Sequence, residues 1–281
     1  MELRKEDVTA KLEELFKTLP GNVIEGDVAL PGCDGLVMYD TPLIGFASTA
    51  DPLFEQYKDP KVIGKPYMTP EEWLPGAQTV VSMFLPFTKE VKQANRGNPE
   101  ETANEWLHAR IEGQKVLADV CVALQDWFEE NGVHAVVPAV DSRFAQTKRP
   151  FQKGEPSLLG FHFASTWSER HAAYAAGLGT FSLTRAIITK KGMAGRFGSL
   201  IIDAYIAPDV RPYEGLYDYC IRCGACMRNC PKNAISLEKG KDQLKCAPYV
   251  NGTKKKYAPR YGCGKCQVGT HCESGIPKRP V

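Results

Sequence analysis

The stretch that organises this chain is Cys220-Ile-Arg-Cys223-Gly-Ala-Cys226-Met-Arg-Asn-Cys230-Pro231. Its spacing, C-x2-C-x2-C-x3-C-P, is the one by which bacterial iron–sulfur proteins hold 4Fe-4S clusters. In two-cluster proteins of this kind the fourth cysteine binds the other cluster, so the motif predicts a second cysteine set. The chain provides four further cysteines downstream, namely Cys246, Cys263, Cys266 and Cys272.

The cysteines are concentrated at one end of the 281-residue chain: ten are present, and eight of them lie between Cys220 and Cys272. In a chain without an export signal, such clustering favours metal binding over disulfides. Zinc is the alternative for any C-x2-C pair, but four closely spaced cysteines followed by proline favour iron–sulfur. The isolated Cys121 is interpreted as a small buried hydrophobe, and Cys33 as a turn residue.

Composition narrows the class of protein. The formal net charge is +2, whereas a dedicated nucleic-acid binder usually shows a strong basic excess. The sequence contains no apolar run as long as a transmembrane helix, and its first residues, MELRKEDVTAKLEELF, predict an amphipathic helix rather than a signal peptide. We therefore predict a soluble, cytoplasmic protein without membrane contact.

The rest of the chain predicts an α+β fold. Residues 79–84 form a short apolar run typical of a buried strand, and residues 101–131 show helical spacing of large apolar side chains. A capping-box pattern at 166–169 predicts the start of a helix rich in alanine, which Gly177-Leu-Gly179 ends. Residues 186–189 and 199–206 read as two strands joined by a hairpin.

Two clusters require eight thiolates, and the cysteine-rich part contains eight. In two-cluster ferredoxins each cluster takes three cysteines from one set and the fourth from the other. We therefore assign to one cluster Cys220, Cys223, Cys226 and Cys272. The other cluster takes Cys230, Cys246, Cys263 and Cys266. Cys272 is the least secure ligand, and His271 is its alternative. A ferredoxin needs only such a module, so the electrons should serve a site in the preceding residues.

Several segments resemble epoxyqueuosine reductases, which belong to a superfamily that includes reductive dehalogenases. They are Glu72-Trp-Leu-Pro to Pro86, Ser168-Glu-Arg-His to Gly179, Gly195-Arg-Phe-Gly-Ser-Leu-Ile201 and Tyr261-Gly-Cys-Gly-Lys-Cys-Gln267. The resemblance implies a nitroreductase-like α/β domain, over residues 1–212, that binds base-off cobalamin. It further implies a ferredoxin-like module with two 4Fe-4S clusters, over residues 213–281, that feeds electrons to cobalt from an external ferredoxin- or flavodoxin-type donor.

Three departures from that family bear on the substrate. Phe163 stands where the family carries a proton-donating Asp, fourteen residues before Gly177. The sequence ends at Val281, whereas many members continue into a helical repeat that helps hold tRNA. Residues 180–185 replace the family's Trp-Ile-Gly-Lys. These departures argue against tRNA epoxyqueuosine and for a small-molecule or nucleoside-like substrate.

The small-residue helix supplies the candidate site residues. Its start at Thr166 should present free N–H groups to an anionic or amide-rich ligand. Tyr174 and His171 are candidate proton donors, with plain packing as the alternative. The candidate cofactor contacts are Thr166, Glu169, Gly177, Gly179 and Arg185, although Glu169 also suits a capping role. Asp141, Arg143 and Arg149 lie in a polar loop, as substrate contacts or as solvated charges.

The leading hypothesis is thus a cobalamin-dependent iron–sulfur reductase. The first alternative is an electron-transfer or corrinoid-activating protein that has no substrate chemistry of its own. A flavin-dependent reductase is the second alternative, because the nitroreductase-like fold also serves flavin enzymes.

Overall fold

The structure, a computed structural model, describes residues 3–18, 20–150 and 161–278, without the side chains of residues 148–150 and 161–163. The helices are α1 (Lys5–Thr18), α2 (Leu53–Gln56), α3 (Pro70–Trp73), α4 (Lys89–Gly97), α5 (Asn104–Glu130), α6 (Glu169–Ala175), α7 (Ala225–Arg228), α8 (Gln243–Gly252) and α9 (Lys254–Tyr257). The strands are β1 (Val23–Ile24), β2 (Leu36–Val37), β3 (Leu43–Ser48), β4 (Thr79–Pro86), β5 (Ala135–Val136), β6 (Gln146–Pro150), β7 (Phe161–Ser165), β8 (Gly179–Phe181), β9 (Ile187–Thr189), β10 (Gly195–Ile202), β11 (Ile235–Ser236) and β12 (Gly240–Lys241). Short 3-10 helices span Gly26–Val28 and Lys265–Gln267.

The centre of the fold is an antiparallel sheet in the order β3-β4-β10-β5. Every residue of β4 is buried, as expected for an apolar strand covered on both faces. Because side chains alternate along a strand, Val81 and Met83 join the core shared with α5, whereas Val80 joins the core shared with α6. The sheet therefore lies between two helical layers.

The helix predicted over 101–131 is confirmed as α5. Its inner face packs on β10 and is formed by Val116, Leu117, Val120, Leu124 and Phe128. Near its start, the ring of Trp106 packs edge-on against Phe87, with 4.9 Å between centroids. This end of α5 faces the cysteine-rich part and so positions the candidate site.

The predicted hairpin of 186–189 and 199–206 is wrong. Strand β9 pairs instead with β8, and β10 runs between β4 and β5 in the central sheet. A hairpin keeps strands adjacent only when no other strand competes for pairing. Here β4 offers eight register partners along the whole length of β10, from Pro86 opposite Gly195 to Thr79 opposite Ile202.

The predicted capping box at 166–169 is also wrong. Helix α6 begins at Glu169, and its N-cap, Ser168, makes no capping hydrogen bond with its side chain. The Thr166 hydroxyl instead accepts a hydrogen bond from the Ala145 amide at 3.0 Å and donates to the Arg143 carbonyl at 3.2 Å. Tertiary contacts with this loop therefore replace the local cap.

The cysteine-rich part packs against the C-terminal end of α4 and the N-terminal end of α5. Asn95 at the end of α4 donates a hydrogen bond to the Cys263 carbonyl at 2.9 Å, and Thr102 donates to the Gly262 carbonyl at 2.8 Å. These contacts fix the second cysteine set against the helical layer. Among the helices that the structure describes, none has both the length and the apolar character needed to cross a bilayer.

Candidate functional site

The first cysteine set surrounds a small cavity. Its members are Cys220, Cys223, Cys226 and Cys272. Arg222 and Gly224 adopt left-handed backbone conformations, with φ of 52° and 73°, and the resulting tight turns bring successive cysteines to one side. Burial, together with neighbouring thiols that include the rest of the set, raises the pKa of Cys226 to about 12.

The second cysteine set lines a larger cavity of about 600 Å³. Its members are Cys230, Cys246, Cys263 and Cys266. Burial, with the nearby thiols of Cys246 and Cys266, raises the pKa of Cys263 to about 11. The Ala234 amide donates a hydrogen bond to the Cys230 sulfur at 3.2 Å, a contact of the kind that tunes cluster sulfurs.

The eight cysteines fall into two groups, and each group of four lines its own cavity. In the described parts of the chain, no group of three or more His, Cys, Asp or Glu residues is arranged to hold a single metal ion.

The larger cavity lies where the α/β layers meet the cysteine-rich part. Its walls come from α5, through Arg110 and Leu117, from β10, through Arg196 and Gly198, and from the start of α6. The second cysteine set closes it. We take this cavity as the candidate functional site because it is the place where a group held by the α/β layers would meet those cysteines.

The carboxyl group of Glu169 lies in the wall of this cavity. The Trp167 indole N–H donates to the Ser199 hydroxyl at 2.9 Å, which in turn donates to Glu169 Oε2 at 2.6 Å. Glu169 Oε1 is buried and has no hydrogen-bond partner among the described residues. Burial raises the pKa of Glu169 to about 8, despite the hydrogen bonds that lower it. Its carboxyl is therefore largely protonated at neutral pH and able to donate a proton.

His171 and Tyr174, predicted as proton donors, do not line this cavity. The His171 ring packs against Tyr57 and Phe181, with centroids 4.8 and 5.1 Å away, and burial lowers its pKa to about 3. The Tyr174 hydroxyl donates to the Glu214 carbonyl at 3.3 Å and faces a separate cleft. Helix α6 turns Glu169 toward the cavity and these two side chains away from it, and their role as proton donors stays a prediction.

Of the predicted cofactor contacts, only Glu169 lines the cavity. Thr166 bonds to the loop before β6, as described above. Gly177 has φ of 76° and packs near the backbone of Val210. At Gly179 a β-carbon would lie 2.0 Å from the Ile188 carbonyl oxygen, so this glycine allows β8 to pair with β9.

Arg185 ties two parts of the chain together. Its guanidinium donates a hydrogen bond to the Lys241 carbonyl, and the residue has φ of 63°. In the polar loop, Asp141 and Arg143 form an ion pair at 2.7 Å, and the Arg143 guanidinium lies over the Trp73 ring. The side chains of Arg149 and Phe163 lie outside the described residues, so the structure does not test their predicted roles.

Sequence reasoning missed three arginines of the cavity wall as a group: Arg110, Arg170 and Arg196. Arg110 lies one turn after the buried Trp106 on α5, and this spacing was the available signal. No sequence pattern indicated Arg196, because its neighbours are set by the pairing of strands that lie far apart in the sequence. Protein surrounds the Arg170 guanidinium and lowers its pKa, although the side chain stays accessible through the cavity.

Comparison with known proteins agrees with this geometry. The family model described as a 4Fe-4S binding domain matches residues 216–236, which contain the first cysteine motif. The chain is 30% identical over 131 residues to an epoxyqueuosine reductase of Vibrio cholerae. That match covers 43% of this chain and 32% of the relative, so it spans about a third of the relative's length.

Solved structures share the fold. A selenomethionine-labelled epoxyqueuosine reductase superposes with a TM-score of 0.52 at 19% identity, covering 98% of this chain and 68% of that one. The catabolic reductive dehalogenase NpRdhA with 3-bromo-4-hydroxybenzoic acid gives 0.53 at 16% identity, covering 97% and 37%. The chain is thus a divergent relative of epoxyqueuosine reductases that shares its fold with reductive dehalogenases, and the predicted resemblance is confirmed.

The comparisons do not support the argument against tRNA. An epoxyqueuosine reductase solved with a tRNA-Tyr stem loop has the same fold, with a TM-score of 0.51 at 19% identity over 98% of this chain and 67% of that one. The departures at Phe163 and at residues 180–185 therefore occur within a fold that is shared with a tRNA-binding relative.

Proposed function

We propose that the protein is an iron–sulfur reductase that delivers electrons from two 4Fe-4S clusters to a corrinoid, and then to a substrate, in the larger cavity. The observation that carries this proposal is the shared wall: the second cysteine set lines the same cavity as α5, β10 and α6. Cys223 of the first set is exposed, which suits electron delivery there by an external ferredoxin- or flavodoxin-type donor.

The cavity suits a large group with a polar edge. Three buried atoms that lack hydrogen-bond partners among the described residues belong to its wall: Arg110 Nε, Arg196 Nε and Glu169 Oε1. Buried polar groups of this kind are normally satisfied by a ligand or water. Arg110 and Arg196 would hold the edge of a cobalamin, which supplies a redox-active cobalt centre when bound.

Glu169 takes the role of proton donor in this proposal. The family's acid is replaced by Phe163, whereas Glu169 holds a proton on a carboxyl at the cavity wall. Ser199 and Trp167 keep that carboxyl in one orientation. We also propose that residues 1–212 form a nitroreductase-like α/β domain and that residues 213–281 form a ferredoxin-like module.

The substrate in this proposal is a small or nucleoside-like molecule. The relatives support a nucleoside within RNA as one class to test, because an epoxyqueuosine reductase of this fold was solved with a tRNA stem loop. The dehalogenase solved with a brominated hydroxybenzoic acid supports small aromatic acids as another.

Anaerobic reconstitution tests the proposal. The loaded chain should contain about eight iron and about eight sulfide, as two 4Fe-4S clusters require. It should also bind one equivalent of hydroxocobalamin, measured by absorbance after gel filtration. Failure of the cluster-loaded protein to retain cobalamin would refute the corrinoid part, and zinc without sulfide would refute the clusters.

Two matched variants test whether Cys272 or His271 is the eighth cluster ligand. Cys272→Ser should lower the iron content, because the half-buried Cys272 thiol lies near those of Cys220 and Cys223. His271→Ala should leave the iron content unchanged, since His271 borders the first-set cavity but is exposed. The reverse result would assign the ligand to His271.

Replacement of the family acid by Phe163 specifically favours the electron-transfer alternative. In that case the cluster-loaded protein would retain no cobalamin but would reduce a corrinoid held by a partner. The same reconstitution, followed by mixing with a corrinoid protein, separates the two functions. A stoichiometric flavin in place of cobalamin would indicate the flavin-dependent alternative.

A further inference from the structure

Three guanidinium groups line one wall of the larger cavity. Arg110 comes from α5, Arg170 from α6 and Arg196 from β10. Arg110 and Arg196 lie close to each other, because the Arg196 Nη2 group donates a hydrogen bond to the Arg110 carbonyl at 2.6 Å. The sheet and both helical layers therefore converge to place positive charge at this point.

No carboxylate of the described residues balances the charge of these arginines. None of the three forms an ion pair with a carboxylate of the described residues. Burial, with the nearby charges of Arg110 and Arg170, lowers the pKa of Arg196 to about 10. Like charges that are partly withdrawn from water are costly to hold together unless an opposite charge satisfies them.

Part of the hydrogen-bonding capacity of the pair is likewise unused. The Nε atoms of Arg110 and Arg196 are buried and have no partner among the described residues. The Arg110 guanidinium is held in place over the Tyr261 ring, 4.6 Å from its centroid. Arg170 lies near the Cys266 thiol, so its charge is partly committed to the second cysteine set. The argument therefore depends mainly on Arg110 and Arg196.

We infer that the cavity binds its ligand through an anionic group, a phosphate or a carboxylate, held by Arg110 and Arg196 with Arg170 beside them. Guanidinium groups donate paired hydrogen bonds to both kinds of anion. The inference rests on the proposed function for the identity of the cavity as the working site. The anion could belong to the nucleotide phosphate of a corrinoid or to the substrate.

Titration of the cluster-loaded protein with inorganic phosphate tests the inference. Calorimetry under anaerobic conditions should show one site, and Arg110→Gln or Arg196→Gln should weaken binding roughly tenfold or more, as expected for a charge-assisted hydrogen bond. The matched control is Arg143→Gln, whose guanidinium is paired with Asp141 outside the cavity. Arg196→Lys should retain part of the affinity.

Absence of phosphate binding, or equal affinity in the wild type and both Gln variants, would overturn the inference. Visible absorbance confirms that each variant carries its clusters. If Arg196→Gln does not take up its clusters, Arg196→Lys replaces it in the titration. A phosphate affinity between those of wild type and Arg110→Gln would support the inference, and wild-type affinity would oppose it.

Two corrinoids identify the source of the anion. If bound hydroxocobalamin abolishes phosphate binding and cobinamide, which lacks the phosphate, does not, the site serves the cofactor. If phosphate still binds with either corrinoid present, the site serves the substrate. Loss of binding with both would place the corrin ring over the arginines and overturn the inference. A protein that binds phosphate but neither corrinoid would refute the proposed function alone.

Discussion

Glu169 shows how a single residue acquires a role that its neighbours in the sequence do not reveal. Its spacing from Thr166 predicts a helix cap, yet its carboxyl is buried beside β10 and bonded to Ser199. The difference arises because a cap requires only local backbone, whereas burial requires the strand that packs over it. The residue is thereby changed from an exposed anion to a buried acid.

The pH dependence of stability should report this acid. Because burial raises the pKa of Glu169 from 4.5 to about 8, the folded state holds the proton more tightly than the unfolded state. This contribution to stability is complete below pH 4.5 and is lost as the pH rises to about 8. Its size is a few kcal/mol, since a tenfold change in proton affinity corresponds to about 1.4 kcal/mol.

Glu169→Gln should remove this dependence. Thermal unfolding of the cluster-loaded proteins between pH 5 and pH 8 should show a steeper fall for wild type than for the variant. Glu13→Gln, at an exposed position on α1, is the control and should follow the wild type. Parallel curves for wild type and Glu169→Gln would contradict the raised pKa.

At the scale of elements, the loop of the second cysteine set depends on one close contact with α5. Gly264 has φ of 71°, and a β-carbon there would lie 2.0 Å from Cε2 of Trp106. The loop between Cys263 and Cys266 can therefore approach α5 only if this residue is glycine. The spacing of the cysteines predicts the ligands, and this glycine lets them reach the cavity.

Gly264→Ala should displace the second set and leave the first set in place. Iron content after reconstitution should fall from about eight toward about four per chain. The control is Gly97→Ala at the end of α4, where a β-carbon would meet no atom within 4 Å. A variant with full iron content and wild-type thermal stability would show that the loop relaxes around the methyl group.

At the scale of the whole molecule, the α/β layers and the cysteine-rich part are joined through buried polar contacts. Asn95 is fully buried; it donates to the Cys263 carbonyl and accepts hydrogen bonds from the Ala103 amide and the Lys265 ammonium group. Arg96 forms an ion pair with the buried Glu273. We therefore expect the two parts to unfold together.

Asn95→Ala should destabilise both parts at once. It removes the side-chain partner of the Cys263 carbonyl and of the Ala103 amide, while Lys265 keeps its bond to the backbone carbonyl of residue 95. Each group left unsatisfied costs roughly 1–3 kcal/mol. The midpoint of urea unfolding should shift to a lower urea concentration, by the same amount whether it is followed by circular dichroism or by cluster absorbance. Asn251→Ala, at an exposed site on α8, should shift neither. Separate transitions for the two signals would contradict the coupling.

Much of the architecture follows from local patterns. The apolar run at β4 and the spacing of large side chains along α5 predict those elements, because burial selects apolar residues at the period of each structure. The pairing of β10 and the start of α6 do not follow, since each is decided by partners distant in sequence. The cytoplasmic location remains a prediction.

By itself, the sequence determined which eight cysteines form the two sets, because ligand spacing is a property of the local chain. It also determined the resemblance to epoxyqueuosine reductases. Only the tertiary structure decided which side chains meet the second set, since Glu169, Arg110 and Arg196 come from three elements that pack together. The orientation of α6 and the order of the strands are not encoded by any single segment. Together they place His171 and Tyr174 away from the cavity and place Glu169, Arg110 and Arg196 in its wall.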